Sequence, residues 1–218
     1  MARVCRGAWI DVVVASFVTN KIDITRQCTD IVHALVHGRS ELVPAIVLAG
    51  ARGGEGKSLF LKALFAVFGD SYVFAKPEVG RFPLVDLPGK QVVFLDDWRF
   101  DATVIGYGTQ CLWYDGSALP IVRPQNEKGV RGHFLYRGTA PIFVTSKADA
   151  IEKLRYYASD DPRTGKPWDA DASMLVRRLR IYEFNVRMEK PSRTLPFCGH
   201  CFAQLVLQQG AQDQPMAV

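Results

Sequence analysis

A lysine and a serine follow a glycine-rich turn, and together these residue types are suited to holding phosphate. Residues 45–58 read AIVLAGARGGEGKS. Glycines in such a turn let successive backbone N–H groups point inward and form a concave anion site. Lys57 has the charge and length to reach terminal phosphates, and the Ser58 hydroxyl is suited to ligate Mg²⁺. The pattern predicts a phosphate-binding loop whose nucleotide-contacting residues are Gly50, Ala51, Gly53, Gly54, Glu55, Gly56, Lys57 and Ser58.

The residues on either side of the turn support this interpretation. Ala45 to Ala49 is typical of a short buried strand, and apolar residues at helical spacing run from Leu59 to Phe68. Ala51 stands where the consensus pattern has its first glycine, a change that is tolerable if this residue does not need a positive φ. The alternative is a chance glycine turn in front of a core helix.

Two adjacent carboxylates follow the apolar run QVVFL, which predicts a buried strand over residues 91–95. An acid pair at a strand end is the arrangement expected of a Mg²⁺ and water-activating site beside such a loop. We therefore expect Asp96 to share Mg²⁺ with Ser58, and Asp97 to orient or deprotonate an attacking water. Taken alone, two aspartates after a strand are often a turn or a helix cap.

Two further groups of residues are candidates for a catalytic role. Thr145, Ser146 and Lys147 stand at the end of PIFVT, a predicted strand over residues 141–145, where a polar residue could contact the terminal phosphate or the attacking water. The alternative there is an ordinary strand-to-loop transition. Arg177, Arg178 and Arg180 form a basic cluster near the end of the core. An arginine that crosses a subunit boundary can stabilise transition-state charge on a neighbour's nucleotide, whereas the alternative is a solvated basic face.

A predicted hairpin over residues 119–137 is rich in basic side chains and contains one acidic residue, Glu127. A basic hairpin tip is suited to following a nucleic-acid backbone, and the candidate contacts are Arg123, Lys128 and Arg131. An ordinary solvated hairpin is the competing interpretation.

The composition is that of a folded protein with a mild basic excess. The 218 residues are 48% hydrophobic and carry a formal net charge of +5, which is compatible with a nucleic-acid partner. Five cysteines, scattered apart from Cys198 and Cys201, predict a reducing intracellular compartment. For this C-x-x-C pair, packing at a helix start is favoured over a redox or zinc site. No apolar run approaches the length of a membrane span, so we expect no membrane partner.

Four short apolar strands, separated by helical or looped segments, predict an α/β fold with a mostly parallel central sheet and helices on its faces. Ligands of such sheets bind at the carboxyl ends of the strands. Because the glycine-rich loop, the acid pair and Lys147 each follow a strand, we expect them at one edge of the sheet. Before the first of these strands, the sequence predicts a helix over Asp30–Val36, capped by Thr25 or Thr29.

The order of these motifs resembles the superfamily 3 helicases of small DNA and RNA viruses, a branch of the AAA+ ATPases, and above all the papillomavirus and parvovirus replication helicases. The resemblance covers about residues 30–186. GARGGEGKS (50–58) is similar to motif A, VVFLDD (92–97) to motif B, YDGSALPIVRPQNEKG (114–129) to the B′ region, APIFVTSK (140–147) to motif C, and SMLVRRLRIYEF (173–184) to the stretch bearing the arginine finger.

The resemblance implies a P-loop ATPase domain with an inserted β-hairpin, which binds ATP and Mg²⁺ and forms a hexameric ring on single-stranded DNA or RNA during replication. It implies that Arg178 is the finger acting on a neighbouring subunit. It also implies that Lys128 lies near the tip of a hairpin in the ring's central channel. The expected organisation is an N-terminal extension (1–29), an ATPase domain (30–190) and a C-terminal tail (191–218).

The chain departs from the family at motif C, where Lys147 stands in place of an asparagine that senses the γ-phosphate. A lysine can contact phosphate, but it cannot position a water as an amide does. Two alternatives to a motor therefore stay open. One is a degenerate module that binds nucleotide or nucleic acid without unwinding it. The other is a monomeric P-loop kinase acting on a small molecule.

Overall fold

The computed structural model describes residues 7–75, 82–125, 131–188 and 197–210, with residues 125 and 131 described by their backbone alone. The strands are β1 (Ala45–Gly50), β2 (Val73–Phe74), β3 (Val92–Leu95), β4 (Leu119–Gln125), β5 (Arg131–Tyr136), β6 (Ile142–Lys147) and β7 (Leu179–Phe184). The α-helices are α1 (Ala8–Thr19), α2 (Ile24–His37), α3 (Lys57–Leu61), α4 (Ala63–Phe68), α5 (Tyr107–Tyr114), α6 (Ala148–Ala158), α7 (Ala170–Arg177) and α8 (Gly199–Gly210). Within these ranges, every helix is too short or too polar to cross a membrane.

Five of the strands form the central sheet in the order β2-β3-β6-β1-β7, and each described pairing between them is parallel. This confirms the predicted α/β fold and is consistent with a P-loop NTPase-like domain. The sequence assigned four strands to the sheet. The fifth is β7, which pairs with β1 along its whole length.

Strand β1 separates two hydrophobic clusters because its side chains alternate between the two faces of the sheet. Val47 points into a cluster that includes residues of α5, α6, α7 and the β4–β5 hairpin. Ile46 and Leu48 point into the other cluster, which includes residues of α1, α2, α3, α4 and α8. Both faces of the sheet are therefore covered, which explains why all six residues of β1 are buried.

The helix α2 is longer than predicted because a different residue caps it. The sequence predicted a helix over Asp30–Val36 with a threonine cap. Asp23 is the cap instead, and its carboxylate accepts the backbone N–H of Arg26 at 3.0 Å. An aspartate satisfies an otherwise unpaired N–H of the first turn as well as a threonine does, and the helix begins at Ile24.

The helical run that was predicted after the glycine-rich turn is divided into α3 and α4 at Lys62. The backbone of Lys62 stays close to helical values, with φ −62° and ψ −17°. Its N–H donates to the Ser58 carbonyl at 3.0 Å, and its own carbonyl accepts the N–H of Phe65 at 3.2 Å. The chain therefore continues in the same sense through a tighter turn.

The predicted hairpin is present as an antiparallel pair, β4 and β5, separate from the central sheet. Leu119, Ile121 and Tyr136 are buried in the hydrophobic cluster beneath it. Val122 and Leu135 are exposed on its outer side. The pairing shifts register beyond Val122, toward the tip of the hairpin.

Candidate functional site

Three adjacent strands end at one edge of the sheet and bring the predicted site residues together. In the register of β1 and β6, Gly50 pairs with Lys147, and Leu95 of β3 pairs with Val144 of β6. The residues that follow these strands surround a cavity of about 450 Å³. Its lining includes the glycine-rich loop with Lys57 and Ser58, the acid pair Asp96 and Asp97, and the end of β6 from Thr145 to Lys147.

Two hydroxyls meet one carboxylate in the lining of this cavity. Ser58 Oγ donates to Asp96 Oδ1 at 2.9 Å, and Thr145 Oγ1 donates to the same oxygen at 2.7 Å. The Thr145 hydroxyl in turn accepts the backbone N–H of Asp97 at 2.9 Å. Thr145 thereby fixes the first carboxylate of the acid pair next to Ser58.

Lys62 is the principal cationic partner of Asp96, and the sequence analysis missed it. Its Nζ lies 2.8 Å from Asp96 Oδ2. Burial raises the pKa of Asp96, but hydrogen bonds from Lys62, Thr145 and Ser58 outweigh it and hold the pKa below the ordinary value. The sequence spacing could have indicated this contact, because Lys62 follows Ser58 by one helical turn and therefore lies on the same helix face.

The glycine-rich turn already holds an anion, which is the carboxylate of its own Glu55. Glu55 Oε1 accepts the backbone N–H of Arg52 at 2.6 Å and that of Gly53 at 2.8 Å. Glu55 Oε2 lies 2.8 Å from Lys57 Nζ, and the glutamate side chain is 1% exposed. Burial raises the pKa of Glu55, but hydrogen bonds from Lys57 and the Arg52 amide bring it below the ordinary value.

Gly50 is required at the end of β1 by close contacts on two sides. A Cβ there would stand 2.4 Å from Lys57 Nζ and 2.8 Å from the Phe184 carbonyl oxygen. Ala51, in contrast, does not adopt a positive φ, which is the condition under which alanine is tolerated at the consensus glycine. Gly56 does adopt one, with φ +97°.

Segments distant in sequence hold the loop from outside. Ser16 Oγ of α1 donates to the Glu55 carbonyl at 2.7 Å, and the Met188 N–H donates to the Gly54 carbonyl at 3.0 Å. Val12 of α1 and Met188 also line the cavity. No local sequence pattern indicates these contacts, because α1 and the residues after β7 reach the loop only through the fold.

The remaining predicted residues of this edge lie at the mouth of the cavity. Lys147 is exposed and lines it. Asp97 has a left-handed backbone with φ 52°, and its Oδ1 lies 3.6 Å from Arg99 Nε. A non-glycine residue in that conformation is held by its surroundings, here in part by the hydrogen bond from its N–H to Thr145.

Arg178 lies at the opposite edge of the sheet from the cavity. It immediately precedes β7, and its carbonyl accepts the N–H of Ala45, the first residue of β1, at 2.9 Å. Its guanidinium Nη2 lies 3.0 Å from Asp115 Oδ2, and its Nη1 donates to the Met174 carbonyl at 2.8 Å. The structure therefore does not bring Arg178 to the glycine-rich turn of its own chain.

The predicted nucleic-acid contacts are described only in part. The Arg123 guanidinium stacks over the ring of Phe134 across the hairpin, 4.3 Å from its centroid. Lys128 lies outside the described residues, and so does the side chain of Arg131, whose backbone belongs to β5. A cation and an aromatic ring therefore lie together on the β4–β5 hairpin.

The chemistry of the donor set fits Mg²⁺ held jointly with a phosphate ligand. The Ser58 hydroxyl and the Asp96 carboxylate are hard oxygen donors that already touch. Within the described ranges, no group of three or more histidine, cysteine, aspartate or glutamate side chains could hold a metal ion by itself. The ion's remaining ligands would therefore come from phosphate oxygens and water.

The Cys198 and Cys201 pair is a local contact, in which Cys198 Sγ accepts the Cys201 N–H at 3.5 Å.

No protein-family model matches the sequence, and no curated protein matches it. Solved structures of the NrS-1 C-terminal region do match. They include an A-form apo structure of region 305–718 (TM-score 0.44, 12% identity, 84% of this chain and 37% of that one). A further A-form apo structure (0.45, 14%, 84% and 38%) and a further apo structure (0.42, 15%, 77% and 35%) are also similar. This chain spans less than two-fifths of the length of those chains.

Proposed function

We propose that the chain is an ATP-dependent motor domain that binds ATP with Mg²⁺, hydrolyses ATP within an oligomeric ring and moves along single-stranded nucleic acid. The observation that carries the proposal is the 2.9 Å hydrogen bond from Ser58 Oγ to Asp96 Oδ1. It lies beside a turn whose backbone amides converge on an anion. A hydroxyl and a carboxylate so joined, next to an anion cradle, are the parts with which P-loop enzymes hold Mg²⁺ and phosphate.

Each residue of the cavity then has a distinct task. The loop amides and Lys57 bind phosphate oxygens, while Ser58 and Asp96 provide the protein oxygens for Mg²⁺. Bound Mg²⁺ neutralises charge on the phosphate oxygens. Asp97, at the mouth, orients the attacking water and accepts its proton on the carboxylate. Lys147 donates from the end of β6 to the terminal phosphate.

The distant position of Arg178 supports a ring in which each site is completed by a neighbour. Since β7 and β1 run parallel and Arg178 precedes β7, Arg178 is separated from the glycine-rich loop of its own chain by the length of strand β1. It can stabilise transition-state charge only on the nucleotide of another subunit, and it must first leave Asp115.

The hairpin is the proposed contact for the nucleic-acid strand. The cation of Arg123 and the ring of Phe134 lie together on the hairpin, and Val122 and Leu135 are exposed on its outer side. Cations suit the phosphate backbone, and apolar or aromatic surfaces suit unpaired bases.

Steady-state ATP hydrolysis, measured with and without single-stranded DNA or RNA, tests the proposal. Lys57→Ala removes the charge that faces the phosphates, so we expect hydrolysis to be abolished. The matched control is Lys166→Ala, which removes an exposed lysine outside the cavity and should leave the rate unchanged. Hydrolysis by Lys57→Ala at the parental rate would contradict the site assignment.

Two observations favour a second candidate, a module that binds nucleotide or nucleic acid without turnover. Lys147 stands where an amide would position water, and Arg178 is engaged by Asp115 within its own chain. This candidate predicts binding of ATP with no turnover stimulated by nucleic acid, even when sizing chromatography shows an assembled ring. A monomeric kinase would instead stay a monomer with nucleotide present and would not need Arg178.

A further inference from the structure

We infer that Glu55 is an internal competitor of the nucleotide. Its carboxylate occupies the phosphate cradle, which is formed by the backbone N–H groups of Arg52 and Gly53 and by Lys57 Nζ, until a phosphate group displaces it. This inference rests on the proposed function and concerns the regulation of the same site. It makes the free protein self-inhibited, with an affinity for nucleotide set by one side chain.

The contacts of Glu55 are those that a phosphate group would need. One carboxylate oxygen accepts two successive backbone N–H groups, those of Arg52 and Gly53, at 2.6 and 2.8 Å. The other oxygen binds Lys57 Nζ at 2.8 Å. A carboxylate and a phosphate cannot both accept these N–H groups, because each N–H provides one donor. Binding of phosphate at the turn and the observed position of Glu55 are mutually exclusive.

The pair lies inside the curl of the loop. The site where a Cβ on Gly50 would stand is 2.4 Å from Lys57 Nζ and 3.1 Å from the Glu55 carboxyl carbon. The side chains of Glu55 and Lys57 are 1% and 10% exposed. The carboxylate therefore fills the space against the backbone, and its charge is matched by Lys57.

The backbone of the loop is fixed while the side chain of Glu55 occupies the cradle. The Glu55 carbonyl accepts the hydroxyl of Ser16, and the preceding carbonyl, that of Gly54, accepts the N–H of Met188. Displacement therefore requires rotation of one side chain into the adjoining cavity, without refolding of the loop. Such a motion is compatible with an exchange of anions at every catalytic cycle.

Competition has a consequence for the choice of ligand. A ligand must displace an ionised carboxylate that accepts three hydrogen bonds, and the cost of this displacement reduces its net binding free energy. A single anion such as inorganic phosphate replaces these bonds and gains little more. A polyphosphate also reaches Ser58 and the Asp96 region, so it makes further contacts that offset the cost of displacing Glu55.

The test is the affinity of the full chain for ATP with Mg²⁺ and for inorganic pyrophosphate, measured by calorimetry for the parent protein and Glu55→Gln. The amide keeps the size of the side chain but loses its charge, so we expect Glu55→Gln to bind both ligands about tenfold more tightly. Without ligand, its thermal unfolding midpoint should fall. Glu41→Gln removes the same charge from an exposed site before β1, and both quantities should be unchanged.

The opposite signs of the two effects distinguish competition from a structural ion pair. Equal or weaker binding by Glu55→Gln would overturn the inference. Binding by neither the parent nor Glu55→Gln, with Lys57→Ala indistinguishable from both, would instead overturn the proposed nucleotide site. Should Glu55→Gln fail to fold, Glu55→Asp provides the same test, because it keeps the charge but is one methylene too short to reach the amides.

Discussion

The two edges of the central sheet hold their cations in different ways. At the amino edge, Arg39 is 3% exposed and donates to the carbonyl oxygens of Gly138, Leu112, Trp113 and Ser117. At the carboxyl edge, Lys57 and Lys62 bind the side-chain carboxylates of Glu55 and Asp96. A backbone carbonyl cannot leave without unfolding its segment, whereas a carboxylate can rotate away. The amino edge therefore holds a structural cation, and the carboxyl edge holds cations whose partners can be exchanged.

The largest expected effect is on the structural side of this comparison. Arg39→Ala removes the donor that four backbone carbonyl groups share and the guanidinium that stacks on Tyr136, 5.0 Å from its ring centroid. We expect the free energy of unfolding to fall by about 3–5 kcal/mol. Chemical denaturation measures this, with the exposed Arg137→Ala as a control that should change stability by less than ~0.5 kcal/mol. A small loss for Arg39→Ala would remove the distinction between the edges.

Arg178 sharpens the comparison, because it lies at the amino edge but is held by a carboxylate. Its side chain and that of Asp115 are 24% and 12% exposed. Arg178→Ala and Asp115→Asn should each lower the free energy of unfolding by about 1–2 kcal/mol, since each leaves one partner without its opposite charge.

Only one of these two variants should affect turnover. If Arg178 acts on a neighbouring nucleotide, Arg178→Ala abolishes the ATP hydrolysis of the assembled ring, while Asp115→Asn frees the arginine and preserves it. Equal rates of ATP hydrolysis by Arg178→Ala and Asp115→Asn would mean that Arg178 has only a structural role.

The smallest expected effect is the pH dependence of the Glu55 contacts. The pKa of Glu55 in the folded protein lies below its ordinary value of 4.5, so its contribution to stability is fully present above that value. It is lost as the pH falls through the folded pKa. The difference in unfolding free energy between the parent and Glu55→Gln, about 1 kcal/mol at pH 7, should therefore shrink below about pH 4.5. A difference that is constant down to pH 3 would mean that the carboxylate charge is not what holds the loop.

The sequence predicted the parts of this molecule that depend on local pattern. The buried strand before the glycine-rich turn, the acid pair after β3 and the polar end of β6 all lie where their spacing indicated. Their convergence follows from the rule that parallel strands end at one edge. Ser58 and Asp96 could be paired on that rule alone.

What the sequence did not predict depends on contacts between distant segments. Nothing local indicates that Ser16 holds the Glu55 carbonyl, since the two residues meet only when α1 packs over the loop. The position of the Glu55 side chain is a choice between solvent and the cradle. That choice is decided by Lys57 and two backbone amides, and a consensus pattern contains no information about it. The division of the helix at Lys62 was likewise invisible in its apolar spacing.

Because the side chains of β1 alternate between the two hydrophobic clusters, neighbouring residues of the strand stabilise different halves of the molecule. A methyl group deleted at Ile46 loosens the interior that α1 and α8 share, and one deleted at Val47 loosens the interior beneath the hairpin. Two positions adjacent in the chain can thus report independently on the side of the molecule that clamps the loop and on the side that carries the hairpin.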